Sequence, residues 1–137
     1  WRSIWRVASL MLRSNASSAT GADEVVSEIR ALGRNAVALQ ADLLDEAQVS
    51  TLVDRAVEAL GGPLTCLINN ASIFEYDTVQ SGTRTSWDRA MESNLRAPFV
   101  LTQAFAAQAP KGALDDQGEP IAQSLIVNMI DHRMTAP

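Results

Sequence analysis

The sequence has few of the residues on which disulfide, metal and membrane proteins depend. Its 137 residues include one cysteine, Cys66, and one histidine, His132, which excludes an internal disulfide and a histidine-rich metal site. No stretch approaches the roughly 20 apolar residues of a membrane span. Sixteen acidic against eleven basic residues give a net charge of −5, too acidic for a nucleic acid surface. We expect a cytoplasmic protein without nucleic acid, membrane or metal partners.

The composition is that of a folded globular chain, with 47% hydrophobic and 20% charged residues. Both ends look cut, so we expect residues 1–137 to form a single partial domain. Residues 1–13 are atypical. Apolar side chains at helical spacing, opposite arginines, favour an amphipathic helix in residues 1–12, with membrane-surface targeting as a functional alternative. Residues 7–12 fit a buried strand equally well.

Two helices are predicted by apolar residues that recur at helical spacing, at residues 21–32 and 45–60. Asp45 is a suitable N-cap for the second helix. Gly33 and Gly61 stand where the two helices must end, because glycine adopts the left-handed backbone of a helix terminus.

A third, longer helix is predicted from Ser86 to about residue 108, with Ser86 as its N-cap. Trp87, Met91 and Leu95 fall on one side of it. Pro98 removes a backbone donor inside this helix, so we expect a kink near Arg96.

Short apolar runs predict strands at residues 35–40, 64–69 and 124–129. The strand at 64–69 fits burial on both faces. Residues 109–123, rich in proline, glycine and acidic side chains, predict a solvated loop. Strands that alternate with helices pair in parallel, so the fold class is α/β with a three-layer parallel sheet.

Polar residues follow three of the predicted strands. They are Asp42, the run Asn69-Asn70-Ala71-Ser72, and Asp131. Ligands of parallel sheets bind beyond the carboxyl ends of the strands, so these positions predict a site. Taken singly, each residue could simply end a strand.

Together these residues resemble the short-chain dehydrogenase/reductase family over about residues 14–131. Ala41-Asp42-Leu43 resembles the adenine-contacting turn of that family, and Asn70-Ala71 the cofactor wall of its Asn-Asn-Ala-Gly motif. Asn94, at 94 − 70 = 24 residues beyond the motif, resembles the catalytic-network asparagine. The resemblance implies a Rossmann-like sheet, incomplete here, and a nicotinamide cofactor.

Three further residues resemble the pteridine reductase branch of the family, which uses NADPH to reduce pterins and folates. Asp131 occupies the position of the usual catalytic serine, Ser72 replaces the motif glycine, and Phe74 matches the phenylalanine that stacks on the pterin. An aromatic face suits a planar ring, and a carboxylate suits a ring nitrogen. Arg13 and Ser14 resemble the pair that binds the 2′-phosphate of NADP.

Two parts of the family pattern are absent from the 137 residues. No glycine precedes Gly21, and no Tyr-x-x-x-Lys pair occurs. We therefore expect the isolated chain to be inactive, although the resemblance implies an oxidoreductase, homo-oligomeric through helix faces around Trp87 and Phe105. A reductase of carbonyl or alcohol substrates is one alternative. The other is a non-catalytic interaction module.

Overall fold

The computed structural model describes residues 18–130, and it gives side-chain surroundings from residue 21 onward. Four α-helices, one π turn and four short strands lie in this range. In chain order they are α1 (Ser18–Ala31), α2 (Glu46–Leu60), β1 (Cys66–Asn69), α3 (Arg84–Met91), the π turn (Glu92–Arg96), α4 (Ala97–Gln108), β2 (Ala113–Leu114), β3 (Pro120–Ile121) and β4 (Leu125–Asn128). The predictions for residues 1–13 lie outside the described residues.

Helix α2 has the ends that its sequence predicts. The Asp45 carboxylate accepts hydrogen bonds from the backbone N–H groups of Ala47 and Gln48, which lie in the first turn and have no helical carbonyl four residues before them. Gly61 ends the helix with φ of 69°, a backbone conformation that disfavours side chains with a Cβ. Both predicted helix ends are confirmed.

The third helix begins earlier than predicted. Thr83 is the N-cap, and its hydroxyl accepts a hydrogen bond from the Ser86 backbone N–H at 3.1 Å. The Ser86 hydroxyl returns the contact by accepting the Thr83 N–H at 3.0 Å. The prediction that Ser86 is the N-cap is therefore wrong, because Ser86 fills the reciprocal position of a capping box three residues later.

The predicted interruption of this helix is a wide π turn that ends at Arg96. The backbone N–H of Ala97 donates to the carbonyl of Glu92, five residues back. Pro98 lies in the first turn of α4, where its missing N–H costs little. The long helix therefore consists of α3, the π turn and α4 in succession.

The core lies between α2 and α4. Leu52 and Phe105 are each 1% exposed, and Val49 is 2% exposed. Gln108 fixes α4 to the segment before β1, because its amide oxygen accepts the Leu64 N–H at 2.7 Å and its amide nitrogen donates to the Leu64 carbonyl at 3.1 Å. The prediction that subunits meet around Phe105 does not agree with the burial of this side chain. Its ring packs in the core with residues of α2, where removal of apolar area from water is favourable.

The parallel sheet of the described residues consists of β1 and β4, paired from Cys66 with Leu125 to Asn69 with Asn128. Leu67 is buried, whereas its neighbour Ile68 is 56% exposed. Successive side chains of a strand point to opposite faces, so one face of the sheet is open. Burial of residues 64–69 on both faces is therefore contradicted within the described part of the chain. The Rossmann-like α/β fold is present and incomplete.

Two other predictions differ from the structure. Residues 35–40 form no strand, although Ala36 is fully buried, because their backbone groups pair with no neighbouring strand among the described residues. The Ala36 carbonyl instead accepts hydrogen bonds from the Arg30 guanidinium at 2.8 and 3.0 Å. The predicted loop at 109–123 contains a small exposed hairpin, in which β2 and β3 pair antiparallel.

None of the helices described between residues 18 and 130 is both long enough and apolar enough to cross a membrane.

Candidate functional site

A cavity of about 560 Å³ opens where β1 and β4 end. Of the positions that the sequence predicts for a site, its wall contains Asn69 of the strand-end run together with Ala71, Ser72, Phe74 and Asn94. Its wall also contains Ile73, Leu95, Pro98, Phe99, Thr102, Asn128, Met129 and Ile130. No charged residue belongs to this wall among residues 18–130, so the cavity suits a flat, uncharged ring better than an ion. We name it the strand-end cavity.

Asn94 holds the loop beside this cavity. Its amide oxygen accepts the Ile73 backbone N–H at 2.8 Å, and its amide nitrogen donates to the Ile73 carbonyl at 2.8 Å. A primary amide offers one donor and one acceptor in the same arrangement as a peptide group, so the pair is geometrically matched. Both ends of the Asn94 side chain therefore position the loop between Ser72 and Phe74.

The floor of the cavity is closed by an asparagine pair between the strands. The Asn69 amide nitrogen donates to the Asn128 amide oxygen at 2.8 Å. These residues face one another in the parallel register at the carboxyl ends of β1 and β4. The Met129 N–H also donates to the Asn69 carbonyl at 2.9 Å, so a side-chain and a backbone hydrogen bond join the two strands at this end.

Phe74 presents much of its ring to solvent. It is 63% exposed and contacts Tyr76 edge to face, with ring centroids 4.9 Å apart and planes at 79°. Edge-to-face pairs are a favoured aromatic geometry. The ring therefore has an open surface on which a planar molecule could stack.

A second cavity, of about 670 Å³, lies on the other side of Phe74. Phe74, Ile73 and Asn94 belong to the walls of both cavities. Asp77 and Glu75 contribute carboxylates to the second one, and the exposed indole of Trp87 contributes an apolar surface. We name it the loop cavity.

The predicted adenine turn lies apart from both cavities. The Asp42 carboxylate accepts the Leu44 backbone N–H at 2.9 Å, and the Asp42 N–H donates to the Gln48 side chain at 3.1 Å. Leu43 is 8% exposed and packs in the core. Asn70 is exposed and does not belong to the wall of the strand-end cavity. Arg13, Ser14 and Asp131 lie outside the described residues.

Arg96 and its ion-pair partners lie on the surface of the helices, outside the walls of both cavities. Arg96 pairs with Glu46 of α2 and, at 3.2 Å, with Glu92 of the π turn. The hydrogen bond to Glu46 is the main reason that the pKa of Arg96 is raised above its usual range. Among the described residues, no group of three histidine, cysteine, aspartate or glutamate side chains could hold a metal ion.

Four residues of the long helix that line the strand-end cavity were not predicted as site residues from the sequence. They are Leu95, Pro98, Phe99 and Thr102. Their spacing of three and four residues places them on one helical face. That periodicity was available from the sequence, although a stripe of this kind usually packs into a core.

Comparisons with known proteins identify relatives of this chain. A family model described as short chain dehydrogenase matches residues 8–116. The sepiapterin reductase of Chlorobaculum tepidum is 37% identical over 93 residues, which are 66% of this chain and 38% of that protein.

Two solved structures are similar in fold and sequence. FolM alternative dihydrofolate reductase 1 from Brucella suis, in complex with NADP, has a TM-score of 0.75 and 31% identity over 92% of this chain and 46% of that one. A blue fluorescent protein from a metagenomic library, in complex with NADPH, has a TM-score of 0.71 and 39% identity over 87% of this chain and 43% of that one. The chain spans less than half the length of these relatives.

Proposed function

The chain belongs to the short-chain dehydrogenase family, and we propose that it forms part of an NADPH-dependent reductase of a pterin-like or folate-like ring. One observation carries the proposal. Ser72, Phe74 and Asn94 share the wall of one cavity at the carboxyl ends of two parallel strands, and among residues 18–130 that wall contains no charged side chain. The names of two similar proteins, a sepiapterin reductase and an alternative dihydrofolate reductase, support a substrate of this class.

Phe74 is the proposed substrate wall. A pterin stacked on its exposed face would be held parallel to the ring, with the uncharged wall of the cavity excluding water from the apolar edge. Ser72 offers one hydroxyl donor and two acceptor positions to the polar edge of such a ring. Asp131, outside the described residues, is proposed to hold a ring nitrogen by a hydrogen bond or by its charge.

The residues present fit part of a dinucleotide. Ala71 has a small side chain in the cavity wall, which permits close approach of a flat nicotinamide. Asp42 and Leu43 form a turn that hydrogen bonds already hold in shape, suitable for contact with the adenine. Arg13 and Ser14 are proposed to contact the 2′-phosphate, and Asn70 the nicotinamide side. NADPH, when bound, supplies the hydride.

A fluorescence titration tests the proposal. We expect the chain to bind NADPH and, with NADPH present, to bind dihydrobiopterin but not a simple ketone. The variant Phe74→Ala should weaken dihydrobiopterin binding about two- to twelve-fold, since an aromatic stacking contact is worth roughly 0.5–1.5 kcal/mol. Val79→Ala, which truncates a fully exposed side chain of the same loop, is the matched control and should bind as the unaltered chain does.

The other outcomes each identify an alternative. Binding of the ketone without binding of dihydrobiopterin would favour a carbonyl reductase. A chain without affinity for NADPH that self-associates on size exclusion would favour a non-catalytic interaction module. Equal binding of dihydrobiopterin by Phe74→Ala and Val79→Ala would exclude Phe74 as the substrate wall.

A further inference from the structure

Two side chains of the long helix contact the loop residues on either side of Phe74. Asn94 binds both backbone groups of Ile73 at 2.8 Å, as described above. Arg89 donates from Nε to the Glu75 carboxylate at 3.0 Å. Phe74 is therefore bracketed, with a neutral contact before it and an ion pair after it.

The shape of the helix makes this bracket possible. Arg89 and Asn94 are five residues apart, and in a regular α-helix side chains at that spacing point about 140° away from each other. Asn94 lies inside the π turn, whose hydrogen bonds reach five residues back instead of four. The wider turn reduces the angle, so both side chains reach one short stretch of loop.

Side-chain contacts hold this loop at several points: the Ser81 hydroxyl accepts the Thr78 N–H at 2.8 Å, and the helix contacts Ile73 and Glu75. Residues 70–78 have no regular secondary structure, and the one backbone hydrogen bond described within residues 73–77 joins Asp77 N–H to the Glu75 carbonyl at 3.0 Å. Phe74 itself is mostly exposed, so the protein interior does not enclose it. The two contacts from the helix hold the residues on either side of Phe74.

We propose that Arg89 is a positioning residue for Phe74: its ion pair with Glu75, together with the Asn94 contact to Ile73, sets the direction of the Phe74 ring between the two cavities. The part of this inference that concerns substrate rests on the proposed function. The part that concerns the ring does not, because it can be observed without any ligand.

The expected effects are modest. The side chains of Arg89 and Glu75 are 47% and 40% exposed, and half-exposed ion pairs change an equilibrium by a few-fold at most. Salt should weaken the pair, because ions screen exposed charges. We therefore expect a few-fold loss of dihydrobiopterin binding when the ion pair is removed by substitution, and a similar loss in the unaltered chain at high salt.

Fluorine NMR of the chain labelled with 3-fluorotyrosine measures the ring position directly. Tyr76 is the single tyrosine, so the spectrum contains one tyrosine resonance, and the ring of Phe74 lies against the labelled ring. Arg89→Gln and Glu75→Gln should move the resonance toward that of Phe74→Leu, which removes the contact. The double variant with Glu75→Arg and Arg89→Glu restores opposite charges and should return it toward the original position.

A matched control lies on the same helix. Arg84 pairs with Asp88 at 2.7 Å, and this ion pair joins two residues of α3 to each other instead of joining the helix to the loop; its arginine is more exposed than Arg89, at 86% against 47%. Arg84→Gln should leave the Tyr76 resonance unchanged. If Arg89→Gln also leaves it unchanged, or if Arg84→Gln moves it as far, the proposal is overturned.

Binding of dihydrobiopterin separates this inference from the proposed function. Arg89→Gln should weaken it about two- to five-fold, with NADPH affinity unchanged and the double variant recovering the loss. If the resonance moves as expected but the unaltered chain binds no dihydrobiopterin, the bracket stands and the proposed function fails. If the unaltered chain binds and Arg89→Gln binds equally well, the role of Arg89 toward substrate is overturned.

Discussion

The two sides of β1 differ in how completely they are packed. On one side lie α2 and α4, where Leu52 and Phe105 are 1% exposed. On the other side Ile68 is 56% exposed, and Leu125 of β4 is 55% exposed. Free energy from apolar burial scales with the area removed from water, so the helical side carries most of the stability. The open side is available for contact with further protein.

The largest expected effect comes from the packed side. Phe105→Ala should lower the free energy of unfolding by about 3–5 kcal/mol, because it removes a fully buried aromatic ring and leaves a cavity. Phe99→Ala, on the same helix at 56% exposure, should lower it by less than about 1 kcal/mol. Urea unfolding measures both, and equal losses would contradict the assignment of the core to this side.

Neighbouring residues of β1 test the same contrast within one strand. Leu67→Ala should lower the free energy of unfolding by about 2–3 kcal/mol, since Leu67 faces the helices. Ile68→Ala should change it by no more than about 0.5 kcal/mol, since Ile68 faces the open side. A larger loss for Ile68→Ala than for Leu67→Ala would reverse the assignment of the two faces.

The smallest effect concerns the beginning of α2 and depends on pH. The hydrogen bond from the Gln48 side chain, at 2.7 Å, lowers the pKa of Asp45 below its ordinary value of 3.8. A carboxyl with a lowered pKa in the folded state stabilises that state above the unfolded pKa, and this contribution is lost as pH falls below 3.8.

Comparison with Asp45→Asn isolates this contribution, because asparagine keeps the cap without the charge. The unaltered chain should be the more stable of the two near neutral pH. Its advantage in urea midpoint should shrink as the pH falls from about 5 to about 3. A gap that widens in acid would show that Asp45 is not held ionised by its contacts.

Among the helix faces, oligomerisation is proposed only for the exposed apolar side of the long helix, which runs from α3 through the π turn into α4. Trp87, Leu95 and Phe99 are each more than half exposed, and Trp87 was one of the two residues around which subunits were expected to meet. Phe105, the other, is part of the core. The same helix therefore presents one apolar side to α2 and another to the cavities and solvent.

Local signals in the sequence predicted the helices correctly. The apolar stripe, Asp45 and Gly61 defined α2 because a stripe, a cap and a glycine act within a few residues of each other. Thr83 was missed because Thr83 and Ser86 are equally good caps by type, and only the reciprocal hydrogen bonds identify which one begins the helix. The prediction for Phe105 was wrong because the periodicity of a helix shows which side chains share a face but not which other element packs against that face.

Pairing between distant segments was predicted less well. Val37 and Leu39 have the apolar pattern of a strand and pack partly against the core, but a strand also requires a partner along its edge. The site loop shows the converse. The sequence predicted Ser72, Phe74 and Asn94 through family resemblance, yet the contact of Asn94 with Ile73 depends on the placement of a helix 21 residues later, with its π turn.

The amide contacts of Asn94 and Gln108 give the long helix a mechanical role. Gln108 binds the chain before β1, at Leu64, and Asn94 binds it after β1, at Ile73. Each side-chain amide donates one hydrogen bond and accepts one, as a peptide group does, so the long helix is fixed to the chain on both sides of β1. A force that shifts the helix along its axis is therefore transmitted to the Phe74 loop, and the loop cannot swing as an independent flap while both amide contacts hold.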